Sequence, residues 1–103
     1  MVNILLLCAS GMSTSLLVEK MKEVADDRHI AANIWAAPAK DIAVEAKKAD
    51  IVLLGPQVLY MRDKIAFEIG RDIPVVMVPM REYGMMDGAS VLDLAFEHLD
   101  KKH

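Results

Sequence analysis

The sequence has a single cysteine, few aromatic residues and no surplus of basic charge. These scarcities exclude several classes of protein. One cysteine rules out an internal disulfide, so the chain suits a reducing compartment, and we expect it in the cytoplasm. The formal net charge of −3 argues against nucleic acid as a partner, because phosphate backbones are bound by basic surfaces.

Long apolar runs are missing as well. No stretch stays apolar for the roughly 20 residues that a membrane-spanning helix needs. The first apolar run, residues 2–7, is short and has no basic segment before it, so it is not expected to be a signal peptide. A chain of 103 residues fits one domain, and we expect residues 1–103 to form it.

What the sequence does have is a regular alternation of apolar runs and amphipathic segments. Strands are predicted at residues 2–7, 30–36, 51–55 and 74–78, each followed by a segment with helical spacing. This alternation predicts an α/β domain with a four-stranded parallel sheet covered by helices on both faces. Because the first run is apolar throughout, its strand is placed inside the sheet, and the predicted strand order is 2-1-3-4.

The connections carry more detailed predictions. The first helix is expected to be capped by a hydroxyl residue, one of Ser13, Thr14 and Ser15. Residues 41–48 are predicted to form a short helix whose inward-facing residues are Ile42, Ala43 and Ala46. Gly70 is expected to end the third helix, and residues 80–86 are predicted to form a loop before a last helix that starts near Asp87.

Cys8 falls at the carboxyl end of the first strand, the edge where parallel sheets bind their ligands. A loop of small residues follows, then a helix N-terminus with unsatisfied N–H groups and a partial positive charge. Gly11 lets this loop curl its N–H groups into a nest for an anion. The same positive field favours the thiolate, so a nucleophile and a phosphate cradle coincide. The hydroxyl donors of the loop are Ser10, Ser13, Thr14 and Ser15.

Three other interpretations compete with a phosphate carrier. Cys8 can be a buried core thiol beside an ordinary turn, or an incidental thiol in a module that binds an anion or a nucleotide. The chain can also be a cysteine-dependent phosphatase or an arsenate-reductase-like enzyme, since the loop approaches the C-x5-R loop of low-molecular-weight tyrosine phosphatases. Thr14, however, stands at the arginine position. Without a guanidinium clamp hydrolysis is disfavoured, whereas relay of a phosphoryl group tolerates the loss.

The run Cys-Ala-Ser-Gly-Met-Ser-Thr-Ser-Leu-Leu-Val at residues 8–18 resembles the active-site loop of one known family. This is the IIB component of the lactose/cellobiose class of the bacterial phosphoenolpyruvate-dependent sugar phosphotransferase system. The similarity extends over essentially the whole chain, and further matching positions are residues 52–57, Tyr60-Met61, Tyr83-Gly84 and Asp87-Gly88. The order Ala9-Ser10 reverses the Ser-Ala of other members, which alters hydroxyl placement but not the nest.

The resemblance implies a fold like that of low-molecular-weight tyrosine phosphatases and a phosphotransferase activity. It implies that Cys8 accepts a phosphoryl group from a phosphohistidine of a IIA partner and passes it to a sugar bound in the membrane-embedded IIC transporter. It implies no metal or organic cofactor, and we expect a monomer. The residues implied to hold the phosphoryl oxygens, by backbone N–H groups with added hydroxyl hydrogen bonds, are Ala9, Ser10, Gly11, Met12, Ser13, Thr14 and Ser15.

Several questions stay open at this point. The sugar can be cellobiose, lactose or chitobiose, and the chain can be free or fused to a IIA or IIC domain. Tyr60 and Tyr83 are expected to pack rather than to act on the loop or a partner. Four methionines are interpreted either as loop packing or as an adaptable apolar docking surface: Met12, Met80, Met85 and Met86.

Overall fold

The computed structural model describes residues 1–8, 12–70 and 72–100, apart from the side chains of Met12, Ser13, Gln57, Leu59 and Asp100. The strands are β1 (Val2–Cys8), β2 (Ala32–Pro38), β3 (Ile51–Leu54) and β4 (Val75–Met77). The helices are α1 (Met12–Asp27), α2 (Ile42–Glu45), α3 (Arg62–Ile69), α4 (Met80–Gly84) and α5 (Gly88–Asp100). Short 3-10 helices occupy Ala39–Asp41, Ala46–Lys48 and Pro56–Met61.

The strands are parallel and lie in the order β2-β1-β3-β4, which confirms the predicted fold class and strand order. Successive residues of β1 face opposite layers of the fold. Ile4 and Leu6 pack with α1 and α5, whereas Leu5 and Leu7 pack with α2 and α3. All four side chains are fully buried, which explains why the run is apolar throughout rather than alternating.

β2 begins later than predicted and runs on to Pro38. Ile30 lies outside the strand because its N–H is bonded to the end of α1. His29 has a φ of 58°, and its N–H donates to the carbonyl of Asp26 at 3.2 Å. The N–H of Ile30 donates to the carbonyl of Ala25 at 2.9 Å. This is the hydrogen-bond pattern of a Schellman motif, with histidine in the left-handed position that glycine usually fills.

The loop predicted at residues 80–86 is wrong over most of its length, since α4 occupies Met80–Gly84. α4 ends as α1 does: Met86 has a φ of 53°, and the N–H of Asp87 donates to the carbonyl of Glu82 at 3.0 Å. The connection is therefore a helix end that leads straight into α5. The predicted start of the last helix near Asp87 is confirmed.

The short second helix is present, but its inward face is narrower than predicted. Ile42 and Ala46, which are four residues apart, are 1% and 2% exposed, whereas Ala43 is exposed to solvent. The 3-10 turns on both sides limit α2 to a single turn, so one pair of positions faces the sheet. Gly70 ends α3 with a φ of 65°, as predicted. β3 and β4 match their predicted runs to within one residue at each end.

Candidate active site

Cys8 is the last residue of the central strand β1, at the carboxyl edge of the sheet. It stands beside Pro38, the last residue of β2. On the other side, the N–H of Gly55 donates to the carbonyl of Leu7 at 2.9 Å, so the end of β3 lies next to the end of β1. The carboxyl ends of neighbouring strands thus meet around the cysteine, which is the position predicted for it.

The Cys8 thiol is free and only 3% exposed. Two clusters of buried apolar side chains fill the layers on either side of the sheet, and Cys8 belongs to neither of them. Cys8 is nevertheless as buried as the core residues, so burial alone does not separate a core thiol from a reactive one.

Three of the seven residues predicted to bind phosphate lie between Cys8 and α1, and the other four lie in the first turn of α1. Outside the described residues lie Ala9, Ser10 and Gly11, so their role stays a prediction. The backbone of Met12 and Ser13 is described as part of α1, but their side chains are not. What the structure describes of the cradle is therefore the first turn of α1.

α1 already begins at Met12, so the prediction of its cap is wrong. The three residues named for that role lie within the first turn: Ser13, Thr14 and Ser15. The N–H groups of a first turn have no acceptor inside the helix and carry the positive end of its dipole. No acidic residue occupies this turn to oppose an anion. Only three residues separate Met12 from Cys8, so these donors follow the thiol closely along the chain.

Thr14 is fully buried although it is polar. Its Oγ1 atom lies 3.5 Å from the phenolic oxygen of Tyr83, which is itself only 6% exposed. The hydroxyl of Thr14 is therefore directed at α4, and the group that Thr14 offers to an anion is its backbone N–H. Ser15, by contrast, is exposed.

Tyr83 has a contact that the sequence analysis missed. The prediction that it packs is confirmed, because its side chain joins the cluster shared with α1 and α5. In addition its hydroxyl reaches Thr14, at the start of the helix that follows the cysteine. The only signal for this in the sequence was a tyrosine in a segment predicted to border the site. The contact depends on α4, in a segment for which the sequence predicts a loop.

Large apolar side chains are exposed on the connections that leave the carboxyl edge of the sheet. Tyr60 is 84% exposed, so the prediction that it packs is wrong. Met86, in contrast, is partly buried against the core. We call the exposed set the apolar rim; its members are Leu16 (52% exposed), Tyr60, Met80 (76%) and Met85 (66%). Exposed apolar side chains are typical of docking surfaces when they are contiguous; the other large ones exposed among the described residues are Met1, Val44, Phe67 and Met77.

The carboxylate of Asp87 has the clearest electrostatic perturbation among the described residues. The Ser90 backbone N–H and hydroxyl donate to it at 3.1 and 2.8 Å, and these bonds, helped by the charge of Arg81, hold the pKa of Asp87 below its ordinary value of 3.8. The bond to the Ser90 N–H is that of a helix N-cap. Asp87 therefore caps α5.

Within residues 1–8, 12–70 and 72–100, no group of three or more His, Cys, Asp or Glu side chains is placed to hold a metal ion. Of the helices in these ranges, none combines the length and apolarity needed to cross a bilayer.

The fold and the position of Cys8 together define a class of protein: a parallel α/β domain with a thiol at the carboxyl end of its central strand, beside a helix N-terminus. Residues 3–94 match the family described as the lactose/cellobiose-specific IIB subunit of the phosphotransferase system. The chain belongs to this family. IIB components act as phosphotransferases in the transfer of a phosphoryl group to sugar, so the chain is a phosphotransferase.

Relatives of this chain are IIB components named for different sugars. The oligo-β-mannoside-specific EIIB component of Bacillus subtilis (strain 168) is 43% identical over 96 residues, which cover 92% of this chain and 93% of that protein. The cellobiose-specific EIIB component of Lactococcus lactis subsp. lactis (strain IL1403) is 42% identical, covering 89% and 91%. The galactose-specific EIIB component of Lactococcus lactis subsp. cremoris (strain MG1363) is 41% identical, with the same coverage.

Solved structures agree with the fold. The solution structure of the cellobiose-specific IIB component of Borrelia burgdorferi superposes with a TM-score of 0.79 at 36% identity, covering 98% of this chain and 94% of that one. The lactose-specific IIB domain of Streptococcus pneumoniae gives a TM-score of 0.81 at 20% identity, covering 94% and 96%, and supports the fold alone. IIB domains share the fold of the low-molecular-weight phosphatases, so that prediction is confirmed.

Proposed function

We propose that this chain is the phosphoryl carrier of a sugar phosphotransferase system and that Cys8 is the residue that carries the group. The supporting observation is the placement of Cys8. A free thiol lies at the end of the central strand, and after three further residues a helix begins whose first turn has no acidic residue. Such a terminus stabilises a phosphoryl group through its N–H donors and its dipole.

The proposed reaction has two displacement steps at phosphorus. In the first, the thiolate sulfur of Cys8 attacks the phosphorus of a phosphohistidine on a IIA partner; the S–P bond forms and the P–N bond breaks. In the second, a hydroxyl oxygen of a sugar held by the membrane IIC transporter attacks the same phosphorus, loses its proton, and releases the thiolate. Both steps depend on positioning and on electrostatic stabilisation of the transferred group, which needs no metal or organic cofactor in this proposal.

The donors proposed for the phosphoryl oxygens are the backbone N–H groups of residues 9–15, with hydroxyl hydrogen bonds from Ser10, Ser13 and Ser15. Thr14 is proposed to take part through its backbone, since its hydroxyl faces Tyr83. No arginine lies in this loop to stabilise attack by water, so the phosphocysteine is expected to persist until an acceptor docks.

The partners and the substrate complete the proposal. We propose that the apolar rim receives first the IIA donor and then the IIC transporter, in the cytoplasm, with residues 1–103 acting as one monomeric carrier domain. The sugar is proposed to be a β-linked disaccharide such as cellobiose, chitobiose or lactose. Relatives named for an oligo-β-mannoside, cellobiose and galactose are 43%, 42% and 41% identical, so identity does not separate the sugars.

The test is reconstitution of the whole relay with labelled phosphoenolpyruvate, the general phosphotransferase components, a IIA partner, and membranes that contain the IIC transporter. The native chain is expected to support formation of sugar phosphate, and the Cys8→Ser variant to support none. Sugar phosphate formed equally with the variant would overturn the proposal. Turnover of a generic aryl phosphate by the native chain alone would favour the phosphatase alternative instead.

A further inference from the structure

We infer that Tyr83 is a positioning residue for phosphoryl transfer. Its hydroxyl contacts Thr14 and so fixes the first turn of α1, whose N–H groups donate hydrogen bonds to the phosphoryl oxygens. The inference rests on the proposed function. The contact through which Tyr83 is inferred to act is the one with Thr14.

The hydroxyls of Tyr83 and Thr14 meet in the interior, where an unpaired polar group is costly. Thr14 is 0% exposed and Tyr83 is 6% exposed, and their oxygens are 3.5 Å apart. A buried hydroxyl that loses its hydrogen-bond partner is destabilised because water cannot replace the partner. The pair therefore favours one placement of the first turn of α1 relative to α4.

Tyr83 is well suited to serve as the fixed side of this contact. Its backbone N–H donates to the carbonyl of Pro79 at 3.0 Å, which ties it to the end of β4. Its side chain packs in the core cluster with buried residues of both neighbouring helices, among them Leu17 of α1 and Val91 of α5. A phenylalanine would provide the same packing, so the hydroxyl contributes the direction of the contact rather than apolar burial.

The first turn of α1 is where a small displacement matters most. Phosphoryl transfer is catalysed by positioning, and a misplacement of about 1 Å can slow such reactions by about 100-fold. Loss of one long hydroxyl contact is expected to displace the first turn of α1 by less than about 1 Å. We therefore expect Tyr83→Phe to slow acceptance of the phosphoryl group from phosphorylated IIA by about 3- to 10-fold. The loss is expected at saturating donor, with the half-saturating donor concentration unchanged, because the docking surface is intact.

Thr14 offers a matched pair of substitutions that separates the hydroxyl from packing. Thr14→Val keeps the volume and removes the hydroxyl, whereas Thr14→Ser keeps the hydroxyl and removes a buried methyl group. If the hydroxyl positions the turn, Thr14→Val is as slow as Tyr83→Phe and Thr14→Ser transfers at close to the native rate. The double variant Thr14→Val/Tyr83→Phe is then no slower than either single one, because both substitutions break the same contact.

The deciding experiment measures single-turnover transfer from phosphorylated IIA for these variants at several donor concentrations, together with urea unfolding of each. Equal saturated rates for native chain and Tyr83→Phe, with only a lower urea midpoint for the variant, would show a purely structural role and overturn the inference. So would a Thr14→Ser variant slower than Thr14→Val. Failure of the native chain itself to accept phosphate from a competent IIA would instead overturn the proposed function, which keeps the two failures distinct.

Discussion

A Cβ atom placed on Gly88 would stand 2.6 Å from the backbone carbonyl carbon of Lys20, so the start of α5 lies directly on the backbone of α1. The same Cβ would be 2.8 Å from the backbone nitrogen of Met21. Backbone atoms of a packed helix cannot move aside as the end of a long side chain can. Glycine at position 88 therefore sets how closely α5 supports the helix whose N-terminus forms part of the proposed phosphate cradle.

Gly88→Ala is expected to destabilise the fold. Overpacking of this kind costs about 1–3 kcal/mol in the free energy of unfolding, which urea denaturation measures. Gly84 provides the control, because a Cβ there would have no atom within 4 Å and the residue lies in α4 without a positive φ. Gly84→Ala is expected to be neutral or to stabilise by up to about 1 kcal/mol. Equal losses for both variants would refute the close approach of the two helices.

The N-cap at Asp87 makes a pH-dependent contribution to stability. Its pKa is lowered first by the hydrogen bond from the Ser90 backbone N–H, so folding favours the ionised carboxylate. The contribution is therefore present above the unfolded value of 3.8 and is lost as the pH falls through the lower folded value.

Asp87→Ala is accordingly expected to lower the urea midpoint at neutral pH, with a difference from the native chain that shrinks as the pH falls below the ordinary value of 3.8. Asp87→Asn keeps a capping oxygen without the charge. Its urea midpoint should lie between those of the native chain and Asp87→Ala, and it should depend less on pH. A difference between native chain and Asp87→Ala that is the same in acid and at neutral pH would contradict the assignment.

The central position of β1 predicts that both of its faces matter to stability. Leu6 and Leu7 point to opposite layers and are both 0% exposed. Leu6→Ala and Leu7→Ala are each expected to cost about 2–5 kcal/mol, as large-to-small core substitutions do. Leu16→Ala is the surface comparison, since Leu16 is 52% exposed, and it should change the free energy of unfolding little. A low cost at either Leu6 or Leu7 would mean that one face of the strand is not packed.

The apolar rim predicts a defect in docking rather than in chemistry. Met80, at 76% exposure, begins the helix that follows β4 at the carboxyl edge. Met80→Glu is expected to raise the IIA concentration for half-maximal transfer by about tenfold or less, because truncation of a typical contact residue costs about 1 kcal/mol. The saturated rate and the urea midpoint should stay close to native.

Phe67→Glu is the matched control for Met80→Glu. Phe67 is 86% exposed, but it lies near the end of α3, which runs back from the carboxyl edge toward the other end of the strands. It should therefore leave transfer unaffected. An equal effect of the two charged substitutions would place docking elsewhere on the molecule.

Most of the fold can be predicted because apolar runs mark its strands, with Asn3 and Asn33 as the polar residues of β1 and β2. β3 and residues 4–7 of β1 are buried on both faces, and this pattern is typical of a parallel sheet. Two of the errors fall near helices that end without glycine. His29 and Met86 both adopt left-handed backbone conformations, which these residue types do not predict, and the predicted start of β2 is too early while α4 is predicted as a loop.

The candidate site was predictable in part for a related reason. Cys8 could be placed because the end of a central strand is a property of the local sequence. The contact between Thr14 and Tyr83 joins residues 69 positions apart and depends on α4, so no local sequence pattern predicts it. Likewise the exposure of Tyr60 depends on how the 3-10 helix after β3 is turned, which the spacing of apolar residues does not specify.

The role of Cys8 is tested most directly by the intact mass of the chain after incubation with phosphorylated IIA, followed by fragmentation to locate the added group. One added phosphoryl group is expected on Cys8, and none on the Cys8→Ser variant treated in parallel. A phosphoryl group on any other residue, or equal addition to the variant, would contradict the claim that Cys8 carries the group.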